Sequence, residues 1–513
     1  MAANKTTIFV ASAGTGKTTR LMDQLESVLE HTPPERIIYT TYTNAGADEA
    51  IQRAMERFGY DRDRFPHFRT LHSLCYRNTP RAPMMNFRDY ITLGQRMGYA
   101  MNGSSSISTR DGAPQRTVGN RGDVLLSLDN LRRARKCSFE EACENQDFNP
   151  ETPSTLVHFA ESYRLFKKEL GKMDFADQLE RFLDVDEELD IDYLFVDEAQ
   201  DLSRLQWSIV DILKRPAKHV FIAGDDKQAI YEFSGGDPEA LIQMEGERIV
   251  LDTCYRLPAN ILNFAESVAG RISSKTPYTV KPHGEGGTVE RIRTLSALDM
   301  TQGTWLLLGR NRSHLEMLES AVIGKGLLYK CATSERMPES LIRAILSWKA
   351  LLAGQPITGS QAKLLYAKYL PSGPGVARGF KQAMAAAQDT ELFSYDDLKD
   401  DYGLRTSEPW HSFFSIGKNL KTQIVRADDS GSLDSLARIE ITTIHSTKGR
   451  EADNVVILPD MAWVTFNQYR DYPDGEHRTF YVAATRARQS LFIYEPITQN
   501  FYDFPRTQDK TSS

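Results

Sequence analysis

Short apolar runs that end in polar clusters recur along the chain, with helical periodicity between them. They read "TTIFV" (6–10), "RIIYTTYTN" (36–44), "DYLFVDEAQD" (192–201), "HVFIAGDDKQ" (219–228), "WLLLGRN" (305–311) and "VVILPD" (455–460). Such runs predict buried strands of a parallel α/β sheet, because strands covered on both faces lose the polar alternation. After the first run, Leu21, Leu25, Val28 and Leu29 give the next segment one apolar helical face. Ligands of such sheets collect outside the carboxyl ends of the strands, where these polar clusters stand. Each cluster is therefore a candidate for one shared site. Two stretches break the rhythm. Residues 80–165 hold "NGSSSISTRDGAPQRTVGNRGD" (102–123), expected to be a mobile loop, followed by "LRRARK" (131–136), expected to be a solvated helix face. Residues 328–437 are mostly helical in pattern, punctuated at "PSGPG" (371–375).

Composition narrows the class without naming it. A chain of 513 residues has room for three or four domains of about 150 residues. No apolar run approaches the ~18 residues of a membrane span, and the first strand starts too early to leave space for a leader. Cys75, Cys137, Cys143, Cys254 and Cys331 are scattered, with no CxxC pair and no zinc spacing. Reduced thiols in a cytoplasmic protein are expected. The net charge of −7 gives no overall basic signature, yet a local basic groove suffices for nucleic acid.

The chemistry-bearing residues begin at "ASAGTGKT" (11–18). Lysine carries charge to nucleotide phosphates, a Ser/Thr hydroxyl ligates magnesium, and glycines let backbone N–H groups close on oxygens. Lys17 and Thr18 are those types, placed where a helix N-terminus favours anions. Adjacent Asp197 and Glu198 follow an apolar run, offering one carboxylate to a metal and one to an attacking water. Gln228 closes another strand-end cluster. A glycine-rich turn and a solvated acidic turn are the bland alternatives.

In chain order, "ASAGTGKT", "YTNAGADE" (42–49), "TLHSL" (70–74), "DFADQL" (174–179), "VDEAQDLSRLQ" (196–206), "GDDKQAIYEFSGG" (224–236), "YR" (255–256), "TIHSTKGRE" (443–451) and "YVAATRAR" (481–488) resemble the motif series of the UvrD/Rep-type superfamily 1 DNA helicases. Ala11 at the head of the P-loop is common in that family. The resemblance implies two RecA-like parallel-sheet domains, each with a mainly helical insertion. It sets them at 1–79 with 166–250 and at 251–327 with 438–500, the insertions at 80–165 and 328–437, and a tail at 501–513. It implies ATP and Mg²⁺ bound by Ser12, Ala13, Gly14, Thr15, Gly16, Lys17, Thr18 and Thr19, with the metal on Thr18 and Asp197. Glu198 acts on water, Gln228 senses the γ-phosphate, and Arg256 and Arg486 approach it from the second sheet. Tyr255 stacks on the base and Glu451 meets the ribose.

For the nucleic-acid track, sequence-independent single-strand binding needs aromatic platforms and phosphate donors. The resemblance assigns stacking to Phe233 and Tyr42, and phosphate or sugar contacts to Thr43, Asn44, Thr70, His72, Thr443 and His445. "LRRARK" is an alternative contact to duplex DNA. Three departures stand out. No glutamine precedes Gln24 to read adenine, Ala45 replaces a usual lysine, and Ser234 replaces a usual arginine. The expected activity is an ATP-dependent translocase and helicase with 3′→5′ polarity, acting on single-stranded DNA and single-strand/duplex junctions. The alternatives are an RNA-directed or 5′→3′ motor, and a nucleotide-gated subunit of a repair, replication or defence complex that does not unwind alone.

Overall fold

The computed structural model describes residues 5–102, 120–144, 151–186, 188–331, 338–414 and 416–506. The expected loop at 102–123 lies mostly outside the described residues, as does the end of the tail. The chain is α/β with two parallel sheets. It forms two compact units, residues 1–291 with 443–513, and residues 292–442.

The first sheet lies in the first unit. Its strands are β1 (Lys5–Ala11), β2 (Ile37–Thr41), β3 (Phe68–Thr70), β4 (Tyr193–Val196), β5 (His219–Gly224) and β6 (Glu247–Leu251), in the order β3-β2-β4-β5-β1-β6. Neighbouring strands pair in parallel throughout, with Val10 opposite Gly224 and Thr40 opposite Val196. Successive side chains of a strand face opposite ways, and both faces here are apolar. Ile8, Val10, Ile38, Leu194, Val196, Val220 and Ile222 share one core with Leu179, Phe182, Ile209 and Leu213 of helices Phe175–Val185 and Arg204–Lys214. Phe9, Ile37, Tyr39, Phe195 and Phe221 share the other with Leu21, Met22, Leu25 and Val28 of helix α1 (Lys17–Leu29). This two-sided cover explains why the strands read as continuous apolar runs.

Capping boxes fix where the covering helices begin: Asp174 with Asp177, and Ser203 with Gln206, each satisfy otherwise unpaired N–H groups. Helices Phe87–Met97, Arg121–Arg135, Phe139–Cys143 and Pro153–Leu170 build a separate small core around Leu93, Leu126, Phe159 and Tyr163. The first unit also holds parallel strands Ala452–Leu458 and Ala487–Tyr494, joined by helix Pro473–Ala484.

The second unit contains strands Trp305–Gly309 and Lys330–Cys331, the latter parallel to Ile439–Thr443. The rest is mainly helical, packed around Ile345, Trp348, Tyr366, Leu398, Trp410 and Ile424.

Candidate functional site

A cleft of about 470 Å³ opens at the carboxyl ends of β1, β4 and β5, all within the first unit. Its floor is the loop between β1 and α1. Gly14 and Gly16 take φ of +74° and +83°, a region other residues rarely adopt. Gly14 has a second reason to be glycine: a Cβ there would sit 2.4 Å from Arg256 Cβ. Gly16 caps α1 without any side-chain hydrogen bond, so the first N–H groups of the helix keep their anion-binding capacity. Lys17 is buried at this end, 9% exposed.

The acidic wall comes from β4. Thr18 Oγ1 donates to Asp197 Oδ2 at 3.0 Å, and the Tyr39 hydroxyl donates to the same oxygen at 3.0 Å. Glu198 follows at φ +53°, a left-handed position, and its N–H donates to Asp197 Oδ1 at 2.9 Å. Gln200 Nε2 donates to Glu198 Oε2 at 2.5 Å. The two carboxyls are driven apart in acidity. Burial and the neighbouring Glu198 raise Asp197. Burial would raise Glu198 too, but Lys17, Lys448 and Arg486 outweigh it and hold the group low, ionised at neutral pH.

Cations close the other side. Arg486 is 1% exposed, and its Nη2 donates to Gln228 Oε1 and to Thr485 Oγ1, both at 2.9 Å. Burial, with Arg256 nearby, pulls its guanidinium down to about 10. Arg256 Nε pairs with Glu451 Oε2 at 2.5 Å, and Arg488 pairs with the other Glu451 oxygen. Tyr255 is 65% exposed, its ring 4.9 Å from that of His283.

Of the residues expected to hold nucleotide, Ser12, Gly14, Thr15, Gly16, Lys17, Thr18, Thr19, Tyr255 and Glu451 line the cleft, with Glu198, Gln228, Arg256 and Arg486. Two do not line it. Ala13 is buried, its carbonyl accepting from Cys254 Sγ at 3.1 Å, and Asp197 lies beneath Thr18. Ser12 turns its hydroxyl to the buried Tyr481 hydroxyl at 2.6 Å, so only its backbone faces inward.

Sequence reasoning missed Lys448. It pairs with Asp201, donates to the Gln228 carbonyl at 3.0 Å and lies 3.8 Å from Glu198 Oε2. Arg53 and Arg488 also line the cleft unforeseen. For Lys448 and Arg488 the available signal was a cation inside a motif segment; Arg53 lies outside every motif and offered none.

The donor set fits a nucleotide with a hard divalent cation. Among the described residues no group of three or more His, Cys, Asp or Glu cages a metal. The Thr18 hydroxyl and Asp197 carboxylate, 3.0 Å apart beside the phosphate loop, are oxygen donors of the kind such a cation takes.

The residues assigned to a nucleic-acid track gather in part. Tyr42 stacks on Tyr231 at 5.1 Å, Tyr231 lies 6.1 Å from Phe233, and Phe233 meets His445 edge-on at 5.6 Å. Phe233 is half-buried and belongs to neither core of the first sheet. Burial pushes the Tyr42 phenol up to about 12. The Thr43 and Thr70 hydroxyls cap helices Asn44–Phe58 and Leu71–Arg77 at 3.0 and 3.4 Å from the N–H groups of Gly46 and Ser73. Asn44 is exposed at the start of its helix, and Thr443 Oγ1 lies 3.1 Å from Ser446 Oγ. His72 stands apart from the row, edge-on to Phe175, which is 68% exposed and was not foreseen. Burial lowers His72 to about 4, so it is neutral at pH 7.

"LRRARK" is a solvated face only in part: Arg135 and Lys136 are exposed. Arg133 is 7% exposed and ion-paired with Asp174, Asp177 and Glu180, because the helix packs on the Phe175–Val185 helix.

Two family models match the chain. Residues 1–248 match the UvrD/REP helicase N-terminal domain, and residues 401–495 match the UvrD-like helicase C-terminal domain. The chain is 25% identical over 305 residues to an ATP-dependent DNA helicase PcrA of Staphylococcus epidermidis, covering 55% of this chain and 40% of that protein. It is 24% identical over 366 residues to an ATP-dependent DNA helicase PcrA of Leuconostoc citreum, covering 66% and 46%. It is 24% identical over 296 residues to a probable DNA helicase II homolog of Mycoplasma pneumoniae, covering 52% and 40%. The match thus spans less than half the length of each relative.

Proposed function

Because the chain belongs to the UvrD/Rep-type superfamily 1 helicases, we propose that it is an ATP-dependent translocase on single-stranded DNA that separates duplex strands with 3′→5′ polarity. The observation that carries this reading is the convergence of Lys17, Glu198, Gln228, Arg256 and Arg486 on one cleft, with Arg486 bonded to Gln228. Lys17 and the open N–H groups of α1 take the phosphates of ATP. Thr18 and Asp197 would hold Mg²⁺, which when bound would neutralise phosphate charge. Glu198, kept ionised by its cationic neighbours, orients and deprotonates the attacking water. Charge spreads over the phosphoryl oxygens in the transition state, and the Arg256 and Arg486 guanidiniums meet it. Gln228 reports the γ-phosphate to Arg486, Tyr255 offers its open face to the base, and Glu451 exchanges its arginine partners for the ribose.

Glu198 and Arg486 come from segments far apart in the chain, so hydrolysis depends on how those segments close on each other. DNA in the row Tyr42–Tyr231–Phe233–His445 biases that closure, since Lys448 lies 5.2 Å from the centre of the Tyr231 ring and 3.8 Å from Glu198. Bound bases stack on the row, and Thr43, Asn44, Thr70, His72 and Thr443 meet the backbone.

The test is ATP hydrolysis with and without single-stranded DNA. A rise of at least about 10-fold is expected, with blunt duplex far less effective. Equal rates overturn the motor reading. Duplexes carrying a 3′ or a 5′ single-stranded tail read the polarity. Stimulated hydrolysis without strand separation indicates instead a nucleotide-gated subunit.

A further inference from the structure

The cations of "LRRARK" are spent unequally. Arg132 pairs with Asp129 at 2.9 Å and lies over the Phe139 ring at 4.3 Å. Arg133 is committed to its carboxylates. Lys136 donates to Ser208 Oγ at 2.9 Å. Arg135 is exposed and has no carboxylate within ion-pair distance among the described residues. Its Nη2 donates to the Glu232 carbonyl at 3.0 Å, using one of five guanidinium N–H donors. That carbonyl belongs to the peptide leading into Phe233. The neighbouring Glu232 carboxylate is ion-paired with Arg478 and attracts Arg135 only through space, without a salt bridge to it. The helix end is also docked firmly: a Cβ on Gly235 would lie 2.7 Å from Ala134 Cβ. A guanidinium with donors to spare, fixed beside a half-buried aromatic, suits a phosphodiester next to a stacked base. The sequence lacks cations at Ala45 and Ser234, the sheet-loop positions where the family usually has them.

We propose that Arg135 contacts the DNA backbone phosphate beside the base stacked on Phe233, so that the inserted helices, rather than the sheet loops, supply this charge. This rests on the single-stranded DNA reading above. The experiment is titration of labelled oligo(dT) with the full chain across a salt series, with thermal melting alongside. Arg135→Gln is expected to weaken binding about 3- to 10-fold at low salt and to reduce the log–log salt slope by about 0.7, the share of one phosphate on a single strand. Arg135→Lys keeps the slope, and Phe233→Ala weakens binding without changing it. Melting temperatures of the Arg135 variants stay at the wild-type value. An unchanged slope in Arg135→Gln overturns the proposal while leaving single-strand binding intact, and so does a loss of affinity that tracks a fall in melting temperature. Wild-type protein that fails to bind oligo(dT) overturns the DNA reading and this proposal together.

Discussion

The nucleotide cleft and the aromatic row both lie at strand ends of the first unit, yet they are made of opposite materials. The cleft concentrates charge: Lys17, Lys448, Arg256 and Arg486 face Glu198, Asp201 and Glu451, and nearly every group is bonded to another. The row is built of stacked rings and helix-capping hydroxyls, with Lys448 over the Tyr231 ring as its link to the cleft. The difference suits what each region is proposed to handle, a nucleotide in the cleft and a DNA strand on the row. A triphosphate is a fixed multivalent anion whose charge moves during reaction, so a preorganised field is useful. A sliding polymer must be held without being trapped, and stacking tolerates every base.

Deleting a charge from the cleft is therefore expected to have the largest effect. Arg486→Ala should lower DNA-stimulated kcat by about 10³- to 10⁵-fold, the range of an arginine that meets transferring phosphate. Rapid-quench hydrolysis checks it, and a loss below tenfold breaks the assignment. Glu198→Gln should keep ATP binding and lose turnover by about 10²- to 10⁴-fold, whereas Lys17→Ala should lose both.

Changes in the row should act on DNA affinity instead. Phe233→Ala should cost about 1–3 kcal/mol in single-strand binding, and Phe233→Trp should restore most of it. A core phenylalanine would cost about 3–5 kcal/mol of folding stability. Thermal melting and DNA titration on the same variants separate these outcomes.

A smaller effect sharpens the contrast within the cleft. No glutamine stands upstream to read adenine, so kcat/KM for ATP and GTP should differ by less than about tenfold. A preference above about 100-fold would show that another side chain reads the base.

The smallest effect belongs to His72, whose folded pKa of about 4 lies below the unfolded value near 6.5. The neutral form is favoured by folding, so its stabilisation is complete above about pH 6.5 and is lost as pH falls toward 4. Denaturant melts of wild type and His72→Asn should diverge progressively as pH falls through that window. Identical curves would place His72 in contact with water.

The same contrast governs what was legible in the sequence. Lys17, Thr18, Asp197 and Glu198 could be found because their chemistry demands particular residue types next to particular strands. The first sheet was legible because strands buried on both faces leave unbroken apolar runs. Lys448 was not, since its partners Asp201 and Gln228 lie 247 and 220 residues away. Phe175 escaped because an aromatic at the start of a capped helix looks like any core residue until its exposure is known. Arg133 and Arg135 could not be told apart, because only the packed helices reveal which arginine is spent.

The hydroxyl pair of Ser12 and Tyr481 has a consequence for synthesis. The two residues are 469 positions apart, and the P-loop gains this partner only when the segment carrying Arg486 is made. At roughly 5–20 residues per second, a nascent chain carries a P-loop without that support for about half a minute to a minute and a half. A growing chain can therefore fold its first sheet early, while the cleft stays incomplete until the segment carrying Tyr481 and Arg486 has been made.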